Sequence, residues 1–310
     1  MHPPSLFVSH GSPMLAIEDS PARRCLVDLA AGLPRPERVL VASAHWETTH
    51  PVVSTAARPR TVHDFRGFDR KLYEIDYPAP GDPELAREAA SLLSTAGYQV
   101  EADPEHGWDH GVWVPLSLLF PAADVPIAQI SIQPGAGPAH HYAVGRALAP
   151  LRDRGVMIVT SGAMTHDLRA YFGQSEAAAP GWVTQFTDWM REKLESRQVE
   201  ELLEYRRLAP FAERNHPEDE HLLPLYVALG TSGTHEPVRR LHHSVDRVLA
   251  MDVYQFGADG ASGPLMQPQL SVDEAHLARM DQAFVGDPDP VELAVEVLRP
   301  EIQELHELRK

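Results

Sequence analysis

Short apolar runs that alternate with helical patterns constrain the fold of this chain more than any other feature. Strands that are buried on both faces appear as continuous apolar runs, and four runs of this kind occur. They cover residues 6–8, 39–42, 127–132 and 156–160. Because helical patterns separate most of them, we predict an α/β protein with a central, mostly parallel or mixed sheet that is flanked by helices.

Apolar residues at helical spacing predict where the helices lie. The predicted helices cover residues 16–31, 83–96, 138–152, 181–194, 199–208 and 218–229, and Asp82 is a candidate cap of the second. After residue 256, a stretch rich in Gly, Pro and Ala leads into helical patterns at residues 271–284 and 290–308. We therefore expect a main domain over residues 1–256, and a linker with a helical C-terminal extension over residues 257–310. The apolar stripe of this extension suits packing on the main domain or assembly into a homo-oligomer.

The acidic composition excludes several classes of partner. Asp and Glu outnumber Lys and Arg by 44 to 27, and the formal net charge of -17 repels nucleic acids and anionic membranes. No apolar run reaches the roughly 20 residues that a membrane-spanning helix needs. The single cysteine, Cys25, cannot form an internal disulfide, which is typical of reducing compartments. We therefore expect a cytoplasmic protein that binds neither nucleic acid nor membranes.

Histidines follow three of the four predicted strands. His10 and His45 come soon after the first two strands, and His166 comes a few residues after the last. In a parallel sheet the carboxyl ends of the strands border the ligand crevice, and His221, near the predicted start of helix 218–229, is placed to face it. Imidazole suits zinc and iron, and three protein ligands leave coordination positions open. The sequence therefore predicts a metal site formed by His10, His45 and His221.

The residues alone leave several alternatives open. Glu220 competes with His221 as the third ligand, because two histidines and one carboxylate form the facial triad of non-haem iron oxygenases. In "HGWDHGVWVPL", Asp109 is either a helix cap or a site residue, and His110 either faces the site or lies at its rim. Residues 58–77, which include the His-Asp pair at 63–64, are predicted to form an irregular lid over the crevice. The histidine pairs at 140–141 and 242–243 are expected at the surface.

Seven motifs, in a fixed order along the chain, resemble a known family. They are "SHGSPM", "VASAHWE", "TVHDFRGF", "YPAPGDP", "WDHGVWVPL", "SGAMTHDLR" and "EHLLPLYVALG". From about residue 6 to residue 256, the chain is similar to the class III extradiol ring-cleavage dioxygenases, and specifically to the 4,5-DOPA dioxygenase-like branch of the LigB superfamily. This resemblance implies a central mixed sheet with the active site at the strand ends.

The resemblance also implies a site and a reaction. It assigns metal ligation to His10, His45 and His221, acid/base catalysis to His166, and a second contact with the substrate to His110. The expected metal is Fe(II), and Zn(II) would fit the same three histidines. The implied reaction inserts O2 into a small-molecule catechol, next to its two hydroxyl groups rather than between them.

Two alternative functions would use the same residues. A zinc-dependent hydrolase would use the three histidine ligands to lower the pKa of a bound water. A non-catalytic scaffold would keep the metal site alone, and it would have no use for His166. The complete set of site histidines therefore favours an extradiol dioxygenase over the scaffold, and dependence on O2 would separate the dioxygenase from the hydrolase.

Overall fold

One large sheet forms the centre of the fold. The computed structural model describes residues 2–173 and 179–257. Its strands are β1 (Ser5–Ser9), β2 (Arg38–Glu47), β3 (Val52–Ser54), β4 (Glu101–Asp103), β5 (Ile127–Ile132), β6 (Val156–Gly162), β7 (Val238–His242), β8 (Val245–Asp246), β9 (Leu249–Ala250) and β10 (Val253–Phe256). In these ranges, eight strands form one sheet in the order β4-β3-β5-β2-β6-β1-β10-β7, while β8 and β9 form a short antiparallel pair.

The centre of the large sheet is parallel and its margins are mixed. Strands β5, β2, β6 and β1 run parallel to one another. Strand β10 is antiparallel to β1 and β7, and β3 is antiparallel to β5. The predicted α/β class with a mixed sheet is therefore confirmed. The four parallel strands bring their carboxyl ends to the same edge of the sheet, where ligand crevices form in such folds.

Helices cover both faces of this sheet. They are α1 (Pro21–Gly32), α2 (Pro83–Thr95), α3 (His110–Leu119), α4 (Gly137–Leu148), α5 (Leu168–Gly173), α6 (Gly181–Glu195), α7 (Val199–Leu203), α8 (Tyr205–Leu208), α9 (Ala212–Asn215) and α10 (Leu223–Thr231). In β2, Val39 and Val41 pack in the same core as α1 and α3, while Leu40 and Ala42 pack in the core that contains α2 and α4. Both faces of β2 are therefore buried, which explains its continuous apolar run.

Several predicted helices are right in position but wrong in extent. The helix predicted over residues 16–31 begins only at Pro21, and a separate 3-10 turn, Pro13–Ala16, precedes it. The helix predicted over residues 199–208 divides at Glu204 into α7 and α8. The helix predicted over residues 218–229 begins at Leu223, so His221 precedes its first turn instead of lying in it.

The C-terminal part of the chain lies mostly outside the described residues. Strand β10 ends at Phe256, and the linker and helical extension predicted over residues 257–310 are described only at Gly257. Assembly through this extension therefore stays a prediction. Across residues 2–173 and 179–257, no helix has the length and apolar character needed to cross a membrane.

Two glycines allow α10 to pack directly on α4. A Cβ atom at Gly145 would contact the carbonyl oxygen of Val227, and one at Gly230 would contact that of Tyr142. The backbones of the two helices therefore approach more closely than any side chain would permit. This contact matters for the site, because α10 begins just after His221. The position of α10 therefore determines the position of His221.

An ion cluster ties the start of β2 to the start of α2. Arg38 Nε donates to Oδ2 of Asp82 over 2.7 Å, and its Nη1 donates to Oε1 of Glu88 over 2.8 Å. The other oxygen of Asp82 accepts from the backbone N–H of Leu85 over 2.9 Å, so Asp82 caps α2 as predicted. Burial raises the pKa of Asp82, but its hydrogen bonds with Arg38 and the backbone outweigh burial and lower the pKa overall.

We expect Asp82→Ala to lower the free energy of unfolding by about 2 kcal/mol, because it removes a helix cap and one carboxylate partner of Arg38. Denaturant unfolding at pH 7 measures the difference from the wild type. Because the folded-state pKa of Asp82 lies below its unfolded value, this difference shrinks as the pH falls below about 4. Arg87→Gln, on the exposed face of α2, is the control and should change stability by less than about 0.5 kcal/mol. Equal stability of Asp82→Ala and the wild type would contradict the capping role.

Candidate metal centre

Three histidines from distant parts of the chain meet at the carboxyl ends of the central strands. His10 directly follows β1, His45 lies near the end of β2, and His221 comes just before α10. One ring nitrogen of each lies within 4.8 Å of those of the other two, and Nε2 of His10 is 3.0 Å from Nε2 of His45. The structure thus brings together the three residues that the sequence predicts as metal ligands.

Hydrogen bonds at Nδ1 orient two of these rings. Nδ1 of His10 lies 2.8 Å from the hydroxyl of Ser161, which belongs to the neighbouring parallel strand β6. Nδ1 of His221 donates to Oε1 of Glu220 over 2.7 Å. A carboxylate can only accept, so the proton of a neutral His221 is at Nδ1 and its Nε2 lone pair is free. Partners of this kind fix the tautomer and the ring orientation of histidines that bind metals.

The three imidazoles are neutral at physiological pH. Burial lowers the pKa of His10 and the pKa of His45 well below the usual value, and it lowers the pKa of His221 to about 4. The neighbouring imidazoles add to this effect, because a positive charge on any one of them opposes a second. Neutral imidazole is the form that coordinates metals, so the cluster has the donor chemistry of a metal site.

Glu220 was the alternative third ligand. Its carboxylate lies close to the ring nitrogens of His166 and His221, and it does not belong to the group of ligand atoms formed by His10, His45 and His221. Its Oε1 is 2.7 Å from Nδ1 of His221 and 3.6 Å from Nδ1 of His166. Burial raises the pKa of Glu220, but its hydrogen bond with His221 and the nearby ring of His166 bring the pKa far below the usual range. Glu220 is therefore ionised, and it occupies the Nδ1 side of the His221 ring.

His166 and His110 complete a cluster of five imidazoles. The ring of His166 stacks on that of His221, with centroids 3.5 Å apart and planes at 15°. The ring centroid of His110 lies 4.0 Å from that of His45 and 5.3 Å from that of His10. The two histidines that the resemblance assigns to catalysis therefore border the group of three.

Asn215 and His216, which no sequence pattern marks as site residues, hold the loop that carries His166. The backbone N–H of His166 donates to the carbonyl of Asn215 over 2.7 Å, and Nε2 of the fully buried His216 donates to the carbonyl of Met164 over 2.8 Å. The loop after β6 is thus fixed from outside the sheet. The only signal for this role was a histidine in "RNHPEDEH", where no apolar periodicity marks a buried position.

The structure shows that Asp109 does not act as a side-chain cap of α3. Although Asp109 precedes α3, its side chain makes no capping hydrogen bond. Its carboxylate instead accepts from the hydroxyl of Ser43 over 2.7 Å and from the amide of Gln129 over 2.8 Å. Burial and the negative charge of Asp64 raise the pKa of Asp109 to about 6. Because Ser43 Oγ also accepts from the backbone N–H of His45, Asp109 helps to fix the end of β2.

Two further expectations concern residues around the site. The prediction that the pair at 140–141 lies at the surface is wrong for His141, which is buried and accepts from the backbone N–H of Gln133. It lies on the buried face of α4, together with Val144 and Leu148. Among the aromatic residues of the quoted motifs, Trp108 and Trp113 are fully buried in the core, and Trp46 stacks on His106 at 3.7 Å.

A glycine at the end of β6 permits a close contact with the backbone of His221. The N–H of Ala163 donates to the carbonyl of His221 over 2.8 Å. A Cβ atom at Gly162 would contact this same carbonyl oxygen. Because both partners are backbone, neither can rotate away as a flexible side chain would.

We expect Gly162→Ala to lower the free energy of unfolding by at least about 1–3 kcal/mol, the usual effect of inserting a methyl group into a packed interior. Thermal and denaturant unfolding measure the change. Gly181→Ala is the matched control, because its Cβ would meet only Nε2 of Gln185, at 3.7 Å. Wild-type stability of Gly162→Ala would show that the contact with His221 is looser than the structure indicates.

Comparisons with known proteins agree with this geometry. The family model described as the catalytic LigB subunit of aromatic ring-opening dioxygenase matches residues 4–256. The 4,5-DOPA dioxygenase extradiol of Beta vulgaris is 40% identical over 257 residues, which are 81% of this chain and 96% of that protein. The protein of the same name from Escherichia coli K12 is 38% identical over 241 residues, which are 76% of this chain and 87% of that protein.

A solved structure has a similar fold. The crystal structure of an uncharacterized protein from Escherichia coli K12 matches with a TM-score of 0.70 and 34% identity, over 82% of this chain and 100% of that one. The family model and the curated relatives each match three quarters of the chain or more. This chain is therefore an extradiol ring-cleaving dioxygenase of the LigB family, and within it belongs to the branch of the 4,5-DOPA dioxygenase extradiol proteins.

Proposed function

We propose that this enzyme opens the ring of a catechol at a mononuclear Fe(II) held by His10, His45 and His221. Its reactants are a small molecule and O2, as its enzyme class requires. One observation carries the proposal: three neutral imidazoles converge at the crevice end of the sheet, with His166 and His110 directly beside them. A fold that only needed to be stable would have no reason to gather five buried or half-buried imidazoles, because each is a polar group that must be satisfied.

The donor set fits a divalent transition metal. LigB dioxygenases are metal-dependent, and the three candidate ligands here offer only nitrogen. Nε2 of His10 and Nε2 of His45 face each other at 3.0 Å, where two lone pairs repel unless a proton or a cation lies between them. Fe(II) and Zn(II) both accept imidazole ligands, but only iron can exchange electrons with O2. We therefore assign Fe(II) as the metal that supports ring cleavage.

The names of the relatives suggest the substrate class. Proteins at 40% and 38% identity are called 4,5-DOPA dioxygenase extradiol. We assign to this chain a catechol of the DOPA type, with an amino-acid side chain on the ring, and cleavage of the 4,5 bond beside the two hydroxyl groups. A panel of catechols that differ in this side chain tests the assignment.

The chain's own residues supply the proton transfers. When bound, the metal brings the catechol oxygens and O2 together and allows electrons to pass between them. Nε2 of His166 takes the proton of one catechol hydroxyl, and the Glu220 carboxylate, 3.6 Å from Nδ1, stabilises the imidazolium that results. Nδ1 of His110 donates to Asp64, so in the neutral ring the Nε2 lone pair is free to accept a hydrogen bond from the other hydroxyl.

We expect His10→Ala, His45→Ala and His221→Ala each to lose bound metal and ring cleavage together, because two imidazoles do not complete the site. Metal content after reconstitution with Fe(II) or Zn(II) is measured by elemental analysis. Glu220→Gln should retain stoichiometric metal, which distinguishes His221 from Glu220 as the third ligand. His50→Ala, outside the cluster, is the control for histidine removal in general. Stoichiometric metal in His10→Ala or His45→Ala would refute the assignment.

Ring cleavage is tested by loading the protein with Fe(II) without oxygen and then admitting air with a panel of catechols. We expect O2 uptake, together with a yellow ring-opened product, only when both a catechol and O2 are present. His166→Ala should keep its metal but lose about 10²–10⁴-fold in turnover, the usual contribution of a general acid/base.

Three results would count against this function. Turnover under argon would indicate a hydrolase that uses the same histidines. Oxygen uptake without ring opening would indicate uncoupled oxidation of the metal. A normal rate in His166→Ala would remove that residue from proton transfer.

A further inference from the structure

A segment without regular strands crosses the start of α3 and is anchored there. Residues 58–77 contain a 3-10 turn, Arg70–Glu74, and are otherwise irregular. The N–H of Val62 donates to the carbonyl of Trp108 over 2.8 Å, and Nε1 of Trp113 donates back to the carbonyl of Val62 over 3.0 Å. These bonds fix the segment on both sides of His110, so the following residues lie over the histidine cluster.

Asp64 is the charged residue that this segment presents to the cluster. Its Oδ1 accepts from both the backbone N–H and the Nδ1–H of His110, over 2.9 Å and 3.0 Å. Its Oδ2 lies 3.7 Å from Nδ1 of His45, too far for a hydrogen bond. The Asp64 side chain is 24% exposed, whereas that of His110 is 9% exposed. One carboxylate oxygen therefore holds His110 at two points, from the solvent side.

The N–H of His110 needs this partner because of its place in the helix. It is the first residue of α3, and the first N–H groups of a helix have no partner within the helix. Asp109, the preceding residue, directs its carboxylate to Ser43 and Gln129 instead. Asp64 thus accepts from an N–H group at the start of α3 to which Asp109 offers no side-chain acceptor. Its negative charge at this end of the helix is also favourable for the helix dipole.

Aromatic packing keeps Asp64 in place. Phe65, the next residue, is 9% exposed, and its ring lies 5.7 Å from that of His110 and 6.2 Å from that of Trp113. On the other side, Phe68 packs against Phe65 with ring centroids 5.5 Å apart. A carboxylate next to a buried aromatic anchor has little freedom, so its geometry toward His110 is set before any ligand arrives.

We infer that Asp64 is a positioning residue, which holds the ring of His110 against the site and keeps its proton at Nδ1, so that the Nε2 lone pair faces the substrate. The inference rests on the proposed function in one respect, namely that His110 contacts the catechol. A carboxylate that orients a neighbouring histidine typically changes activity by about 10–100-fold when it is removed. Asp64 does not touch substrate or metal in this assignment and acts only through His110.

The variants separate orientation from charge. Asp64→Ala removes the acceptor, and we expect kcat/KM to fall about 10–100-fold while stoichiometric metal is retained. Asp64→Asn keeps an acceptor oxygen for both N–H groups of His110, and we expect it to stay within about tenfold of the wild type. Asp76→Asn is the matched control, because Asp76 lies in the same segment but accepts from the hydroxyl of Thr61, away from the histidine cluster. It should leave kcat/KM unchanged within about twofold.

A double-mutant cycle tests whether Asp64 acts through His110. If it does, Asp64→Ala combined with His110→Ala is no slower than His110→Ala alone, because the residue being positioned is already absent. A combined loss equal to the product of the two single losses would overturn the inference. So would wild-type kcat/KM in Asp64→Ala, loss of metal in Asp64→Ala, or an equal loss in Asp64→Asn and Asp64→Ala.

A second measurement does not depend on turnover. Nitrogen-15 spectra of histidine side chains, recorded on the full chain loaded with diamagnetic Zn(II), report which ring nitrogen carries the proton. We expect the Nδ1–H form for His110 in the wild type and in Asp64→Asn, and its loss in Asp64→Ala. An unchanged tautomer in Asp64→Ala would overturn the inference. If the wild type failed to consume O2 with every catechol, the proposed function would fall, and these spectra alone would still decide whether Asp64 positions His110.

Discussion

The site depends on holding several imidazoles neutral while they lie almost in contact. At such distances, charge on one ring opposes charge on the next, and burial removes the water that would stabilise it. Burial therefore lowers the pKa of His10 and the pKa of His45 well below the usual value. The cost of burying these polar rings is reduced by partners at Nδ1, such as Ser161 for His10 and Glu220 for His221. The Glu220 carboxylate can only accept, so it also keeps the proton of a neutral His221 at Nδ1 and leaves the Nε2 lone pair free.

This arrangement requires that three distant stretches of chain meet with little freedom. Parallel strands bring His10 and His45 to the same edge because β6 lies between β1 and β2 and pairs with both. His221 belongs to no strand, so its position depends on backbone contact. The carbonyl of His221 bonds to Ala163 at the end of β6, and Gly145 and Gly230 let α10 lie directly on α4. Small residues in the fold thus determine the geometry of large ones in the site.

Burial also explains which parts of the fold and of the site could be predicted from the sequence. Strands β1, β2, β5 and β6 could be predicted, because burial on both faces gives a continuous apolar run. Strands β3 and β4, with three residues each, and the half-exposed β7 lie towards the margins of the sheet and carry no such pattern. The five histidines could be selected from strand ends and motifs. The contact of Asp64 with His110 could not be predicted. Asp64 lies in an irregular segment, 46 positions before His110 at the start of α3, and no periodicity relates the two residues.

Two carboxylates, Asp64 and Glu220, give the histidine cluster a negative charge that suits the binding of a metal cation. Burial raises the pKa of Asp64, but its bonds with His110 lower the pKa overall, and the pKa of Glu220 is lowered far more strongly by His166 and His221. Two ionised carboxylates beside neutral imidazoles leave negative charge with little solvation, which a divalent cation would balance. A catechol that then loses a proton needs a nearby group able to take up positive charge. In the proposed assignment this group is His166. The ionised Glu220 lies 3.6 Å from its Nδ1, and its ring is less buried than those of His10 and His221.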